Sequence, residues 1–96
     1  MVDEATQTLK KYSSEIKKKF RIKEIGIFGS QIKGKARKRS DIDILVEFEK
    51  EGETFDNYME LKFFLEKLLD KKVDLVIKNT IKDKIKENIL AEVIYV

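Results

Sequence analysis

The sequence predicts an α/β (α+β) fold, a small mixed sheet of three or four strands with helices packed mainly on one face. Three observations predict it. The chain has 96 residues, enough for one domain with a core but not for a separate substrate-binding domain. Segments with helical periodicity alternate with short apolar strands in the order αβαβαβα. The strands are too short for a large doubly wound sheet. We therefore expect a single domain over residues 1–96.

The first half of the chain contains a long helix and two strands. A helix is predicted over residues 3–20, because its apolar residues recur at spacings of three and four. These residues are Val2, Ala5, Leu9, Tyr12, Ile16 and Phe20. A short strand follows at 25–28, and a short helix is expected over residues 30–35. Residues 41–48 alternate between apolar and mostly acidic side chains, which predicts a strand with one buried face.

The second half contains two further helices around a third strand. A helix is predicted at roughly 53–69 from its apolar periodicity. The apolar stripe consists of Phe55, Tyr58, Leu61, Leu65 and Leu68, widened by Phe64 and Leu69. Residues 73–77 are predicted as a strand. Thr80 and Asp83 resemble a capping box at the start of a last helix, and the tail 93–96 is expected as a short strand or a packed end.

The composition excludes several kinds of chemistry. The chain has no cysteine and no histidine, so it offers no disulfide, thiolate nucleophile, cysteine-based zinc site or imidazole base. Acid–base and metal chemistry must therefore depend on carboxylates, Lys, Tyr or hydroxyl groups. No apolar run is long enough to span a membrane and the N-terminus shows no signal-peptide core, so we expect a cytoplasmic protein.

The most informative stretch of the sequence joins the first two strands. A Gly29–Ser30 pair follows the first strand, and after ten further residues come Asp41 and Asp43. Alternate residues of a strand share a face, so both carboxylates can reach one Mg²⁺ ion. A small-residue turn at the start of a helix can hold phosphate through its N–H groups, and Lys33 could add a charge-assisted contact. The pattern predicts a site for a nucleoside triphosphate.

A third acid, Asp74, lies in the third predicted strand. If that strand pairs beside residues 41–48, Asp74 joins Asp41 and Asp43. Three carboxylates around two metal ions suit in-line phosphoryl or nucleotidyl transfer. The alternative is that Asp74 is simply exposed, that Lys33 is a solvated lysine, and that the Gly-Ser pair and the two acids are an ordinary turn with surface acids.

These residues resemble a known signature. Gly29-Ser30, ten residues and then Asp41-Ile42-Asp43 is similar to the signature of the DNA polymerase β-like nucleotidyltransferase superfamily. The surrounding sequence, with residues 88–96, resembles the minimal nucleotidyltransferases, or MNT proteins. The resemblance implies a nucleotidyltransferase fold, ATP as substrate and Mg²⁺, as two ions, as cofactor. It also implies the following site residues: Asp41, Asp43 and Asp74 as catalytic metal ligands, and Gly29 and Ser30 as the phosphate-holding turn. Lys33 stands where relatives often have Arg, and it keeps the charge without Arg's bidentate fork.

The resemblance also implies a partner. MNT proteins are typically paired with a helical HEPN toxin, and some transfer AMP from ATP to a tyrosine hydroxyl of that toxin. The chain is therefore expected to act as an antitoxin, in a hetero-oligomer and away from membranes. Two alternatives stay open: a non-catalytic antitoxin that neutralises its partner by binding, and a nucleotidyltransferase that acts on RNA ends. The basic runs at 17–23 and 33–39 support a nucleic-acid partner only weakly, because charge runs are usually solvated surface.

Overall fold

A computed structural model describes residues 4–28 and 42–96, and the fold is given for these residues. They form three α-helices and four strands: α1 (Glu4–Phe20), β1 (Ile22–Phe28), β2 (Ile42–Phe48), α2 (Phe55–Leu69), β3 (Val73–Ile77), α3 (Asp83–Glu92) and β4 (Ile94–Tyr95). The strands make one sheet in the order β3-β2-β1-β4. β2 is parallel to β3, whereas β1 is antiparallel to both β2 and β4. The predicted α+β fold with a small mixed sheet is confirmed.

The parallel pair of β2 and β3 depends on α2, because parallel neighbours need a crossover connection rather than a tight turn. After β2 the chain passes through a 3₁₀ turn, Lys50–Gly52, and α2 begins after Thr54. The Thr54 hydroxyl oxygen accepts a hydrogen bond from the backbone N–H of Asn57, which satisfies one free donor of the first helical turn. Asp70 ends the helix in the left-handed conformation, with a φ of 55°, and turns the chain toward β3.

One face of the sheet packs against α1 and α2. On β2 the alternate residues Ile42, Ile44 and Val46 are fully buried on this face. The same core cluster takes in buried residues of the other elements: Leu9, Ile16 and Phe20 of α1, Ile22, Ile25 and Ile27 of β1, Phe48 of β2, Leu61 and Leu65 of α2, and Val73 and Leu75 of β3. The two long helices therefore cover one face of the sheet, as predicted.

Some predicted details differ from the structure. Thr80 does not cap α3: its hydroxyl donates to the carbonyl oxygen of Ile77 at 2.8 Å, because the residue belongs to a 3₁₀ turn that ends β3. The residue before α3, Lys82, makes no side-chain cap. Phe55 was predicted in the buried stripe of α2 but is 77% exposed. It lies roughly 100° around the helix from Leu61 and Leu65, outside the buried side.

Two further predictions concern the ends of β1 and of the chain. β1 begins at Ile22 rather than at residue 25, and its register with β2 is irregular between Ile22 and Glu24. That irregularity interrupts the alternation from which a strand is predicted. The tail forms β4, one of the two outcomes expected for it. The helix expected over 30–35 lies outside the described residues.

Asn57 joins three parts of the backbone. Its side-chain Nδ2 donates to the carbonyl oxygen of Phe20 at 2.7 Å and to that of Gly52 at 2.8 Å. Gly52 itself lies close to Arg21, whose carbonyl oxygen would be 2.8 Å from a Cβ at position 52. One half-buried amide therefore holds together the end of α1, the 3₁₀ turn and the start of α2.

We expect Asn57→Ala to lower the free energy of unfolding by about 1–3 kcal/mol, because two partly buried carbonyl groups lose their donor. Urea unfolding followed by circular dichroism measures this change. The matched control is Asn79→Ala, whose amide donates to the exposed Glu53 carboxylate at 3.1 Å. The control should change stability by less than about 0.5 kcal/mol. Equal losses in the two variants would contradict the role assigned to Asn57.

Candidate active site

Asp43 and Asp74 are paired neighbours on the two parallel strands. Each is the second residue of its strand, and their Cα atoms are register partners. Register partners on adjacent strands point to the same face, and neighbouring strands lie about 4.8 Å apart. Asp43 is half-buried and Asp74 is exposed. The two aspartates are therefore neighbours on one face of the sheet, and β3 pairs beside β2, which is the condition under which Asp74 comes to lie beside Asp43.

We call the side of the sheet opposite the helical layer the carboxylate face, defined by Asp43, Leu45 and Glu47 of β2 with their register partners on β1 and β3. Phe28 is the partner of Asp43 on β1. Phe28 and Leu45 are both buried, although they point away from the core cluster. Asp43 therefore lies at one end of this face, with Phe28 beside it on β1 and Asp74 beside it on β3.

The segment that carries the other predicted site residues is attached at the same end of the sheet. Phe28 is the last described residue before it, and Ile42 is the first one after it. The predicted residues Gly29, Ser30, Lys33 and Asp41 lie in residues 29–41, outside the described residues. Over residues 4–28 and 42–96, no group of three or more acidic residues is placed to hold a metal ion.

A charged cluster occupies the other end of the carboxylate face. The Lys78 ammonium donates to Glu24 Oε1 at 3.0 Å and lies 3.8 Å from Glu47 Oε1. Its Nζ is also 5.8 Å from the ring centroid of Tyr95. The hydrogen bond between Lys78 and Glu24 holds the pKa of Glu24 below its usual value and raises the pKa of Lys78. Sequence reasoning missed this cluster, because Glu24 and Lys78 are 54 residues apart and no local pattern joins them.

The C-terminal residues pack over the carboxylate face at Gly26. A Cβ at this position would lie 2.5 Å from Val93 Cγ1 and 2.9 Å from the carbonyl oxygen of Ile94. Any side chain larger than hydrogen would therefore push β4 away from β1. The carbonyl of Ile25 also accepts a hydrogen bond from the N–H of Val96 at 2.9 Å, so the tail is held against β1, at the edge of the sheet opposite to β3.

Comparisons with known proteins identify the family of the chain. The family model of the nucleotidyltransferase domain matches residues 9–96. The chain belongs to the nucleotidyltransferase family. This nucleotidyltransferase is 41% identical over 95 residues to the protein adenylyltransferase MntA of Thermococcus cleftensis, and the alignment covers 99% of this chain and 95% of that relative. The resemblance to minimal nucleotidyltransferases is confirmed, and the chain is an enzyme of the transferase class.

Solved structures share the fold. A structure described as a candidate minimal nucleotidyltransferase matches the nucleotidyltransferase with a TM-score of 0.76 and 33% identity, over 93% of each chain. A chain in the complex of a tri-AMPylated Shewanella oneidensis HEPN toxin with its MNT antitoxin matches with a TM-score of 0.67 and 21% identity. That match covers 94% of this chain and 70% of the other, and at this identity it shows the common fold alone. None of the helices in the described part of the nucleotidyltransferase has the length and apolar character needed to cross a bilayer.

The ion pair of Glu24 and Lys78 should make stability depend on pH. Because the folded-state pKa of Glu24 is lowered, its contribution is present above the usual value of 4.5 and is lost as the pH falls through the folded pKa. We therefore expect Glu24→Gln to reduce the loss of stability that the wild type shows on acidification below pH 4.5. The pKa of Lys78 is raised, so its contribution to folding stability is lost in alkaline solution, as the pH rises past 10.5.

Urea midpoints measured across this pH range test the prediction. Glu87→Gln, at an exposed position on α3, is the matched control. It should keep the acid dependence of the wild type. If Glu24→Gln and Glu87→Gln lose stability identically on acidification, the ion pair does not contribute.

Proposed function

We propose that this nucleotidyltransferase transfers AMP from ATP to a tyrosine hydroxyl of a partner HEPN toxin, and that it thereby acts as an antitoxin. The observation that carries the proposal is the register pairing of Asp43 with Asp74, at the end of the sheet where the segment with Gly29, Ser30 and Asp41 is attached. The relationship to a protein adenylyltransferase supports a protein acceptor. The MNT antitoxin solved with an AMPylated HEPN toxin supports that class of partner.

The carboxylates suit Mg²⁺ as the cofactor. Asp43 and Asp74 offer oxygen ligands from one face of two neighbouring strands, and Mg²⁺ is commonly bound by one or two carboxylates together with substrate phosphates. Asp41, two residues before Asp43 in the sequence, is the proposed third ligand. When bound, Mg²⁺ ions would stabilise the negative charge that develops on the transferring phosphate.

The reaction is a direct in-line transfer. The acceptor oxygen bonds to the α-phosphorus of ATP, the bond from that phosphorus to the bridging oxygen breaks, and pyrophosphate leaves. No covalent enzyme intermediate is needed, which agrees with a chain that has neither cysteine nor histidine. Gly29 and Ser30 are proposed to hold the triphosphate through backbone N–H groups, and Lys33 is proposed to add a positive charge.

The two described carboxylates are suited to different parts of this reaction. Asp74 is exposed and lies on β3, which is an edge strand of the sheet formed by residues 4–28 and 42–96, so a bulky protein acceptor can approach it. We assign Asp74 to orient the acceptor hydroxyl or to accept its proton. Asp43 is half-buried on the inner strand β2, and we assign it the role of a fixed metal ligand. The proposed reaction takes place in the cytoplasm, where ATP and Mg²⁺ are available.

Substitution of either carboxylate tests the assignment. We expect Asp43→Asn and Asp74→Asn each to slow AMP transfer by about a hundredfold or more, because charge stabilisation at the transferring phosphate is lost. The matched control is Glu47→Gln, a similar change on the same face of β2 but beside Lys78, and it should keep most of the activity. Intact-mass spectrometry of a HEPN partner incubated with ATP and Mg²⁺ counts the AMP groups added.

The same reaction, repeated with RNA present and accompanied by an assay of toxin activity, separates the alternatives. If the wild type forms a stable complex and neutralises the toxin without adding AMP, the chain is a contact-only antitoxin. If AMP appears on RNA ends and not on the partner, the chain is an RNA-end transferase. If Asp43→Asn transfers AMP at the wild-type rate, the proposed active site is wrong.

Removal of the metal gives a second test. We expect EDTA to abolish transfer and excess Mg²⁺ to restore it. Without a metal ion between them, the anionic carboxylates repel the anionic triphosphate. In the presence of ATP, added Mg²⁺ should also raise the thermal unfolding midpoint of the wild type, since a ligand that binds only the folded state stabilises it. The Asp43→Asn/Asp74→Asn variant should show a clearly smaller rise. An equal rise in both proteins would place the metal elsewhere.

A further inference from the structure

The outward face of α2 carries apolar side chains that the fold leaves uncovered. Phe63 is 59% exposed, and Met59, one turn earlier, is only half-buried. Both lie on the side of the helix away from Leu61 and Leu65, which are fully buried in the core. Phe63 and Met59 therefore form a small apolar patch on the outward face of the helix, outside the core.

Charged residues on the same face are arranged with opposite signs at its two ends. Asp56 and Glu60 lie in the N-terminal half of the helix, and Lys67 lies in its last turn. All three are exposed, and none of them forms an ion pair within the part of the chain that the structure describes. The face is therefore acidic in the N-terminal half of the helix and basic in its last turn, with Phe63 between Glu60 and Lys67.

We propose that this face binds the same face of a second copy of the chain, with the two α2 helices antiparallel about a two-fold axis. In that arrangement Asp56 of each copy faces Lys67 of the other. A two-fold axis that pairs these positions passes between residues 61 and 62. The same axis pairs Glu60 with Phe63 and brings Met59 beside the partner ring. One axis therefore pairs the charged ends of both helices at once, which is the requirement for a self-complementary interface.

A groove beside α2 extends the surface onto α1. It is lined by apolar, amide and charged side chains of both signs, among them Lys19, Phe20 and Phe64. The rings of Phe20 and Phe64 have centroids 5.3 Å apart, and the Lys19 ammonium lies 5.1 Å from the Phe64 centroid. The second copy can therefore contact α1 as well as α2, which enlarges the interface beyond a single pair of helices.

The proposed dimer keeps both active sites accessible. α2 packs on the core side of the sheet, whereas Asp43 and Asp74 belong to the carboxylate face. Two copies joined through α2 would stack as sheet, helices, helices and sheet, with both carboxylate faces outward. Variants that break the dimer are therefore expected to keep the transferase activity of the chain.

A charge reversal and its rescue test the arrangement. Asp56 and Lys67 are eleven positions apart, roughly 16 Å along the helix, so they cannot pair within one chain. Asp56→Lys and Lys67→Asp each place like charges together at the interface, and the double variant restores opposite charges. Each reversal also opposes the helix dipole. A rescue by the double variant therefore cannot come from a more stable helix.

The measurement is sedimentation equilibrium of the full chain from micromolar to millimolar concentration, with circular dichroism to verify folding. We expect a reversible wild-type dimer and an increase in its dissociation constant of about tenfold in each single reversal. The double variant should return to within about threefold of the wild type. Phe63→Glu should leave only monomer, whereas Ile85→Glu, at a half-exposed position on α3, should dimerise normally.

Several results would overturn the proposal. A wild type that stays monomeric throughout would exclude self-association, and if Phe63→Glu then lost binding to a HEPN partner, the surface would belong to that partner. If Phe63→Glu leaves the dissociation constant of the dimer unchanged, the interface lies elsewhere on the chain. Single reversals that weaken the dimer without rescue in the double variant would exclude the antiparallel pairing.

Discussion

The register between β2 and β3 is the constraint on which the rest of the structure depends. Asp43 faces Asp74 only because Ile42, Ile44 and Val46 point into the core beside Val73 and Leu75. A shift of one residue in either strand would turn its apolar residues toward solvent and move its aspartate into the core. Burial of the aliphatic side chains therefore holds the two carboxylates together.

The helix between the two strands maintains this register. Leu61 and Leu65 anchor α2 in the core, and the Tyr58 hydroxyl donates to the carbonyl oxygen of Leu75 at 2.6 Å. At the start of β3, the N–H of Val73 donates to Glu66 Oε2 at 3.0 Å. These polar contacts join α2 directly to the strand that carries Asp74. The position of the proposed catalytic carboxylate is thus determined by helix packing as well as by strand pairing.

The two ends of the carboxylate face differ in their electrostatics. Glu24 and Glu47 share the ammonium of Lys78, so a divalent ion would have to compete with a cation that is already bound by hydrogen bonding and charge. Asp43 lies four positions before Glu47, Asp74 lies four positions before Lys78, and the two aspartates are register partners. The arrangement favours metal binding at the end of the sheet to which the Gly29–Ser30 segment is attached, and disfavours it at the other end.

The sequence by itself determined the helices and strands that depend on local periodicity, and it determined which side chains share a face within one strand. Alternation over residues 41–48 placed Asp43 and Glu47 on one face, the helical spacing identified α1 and α2, and the Gly29–Ser30 and Asp41–Asp43 pattern predicted the family. Gly29, Ser30, Lys33 and Asp41 remain predictions, because they lie outside the described residues. The tertiary structure alone decided which strands are neighbours. It placed Asp74 beside Asp43, brought Lys78 to Glu24 and left Phe55 exposed, because such contacts follow from the packing of distant segments around one core and not from the order of residues within any one of them.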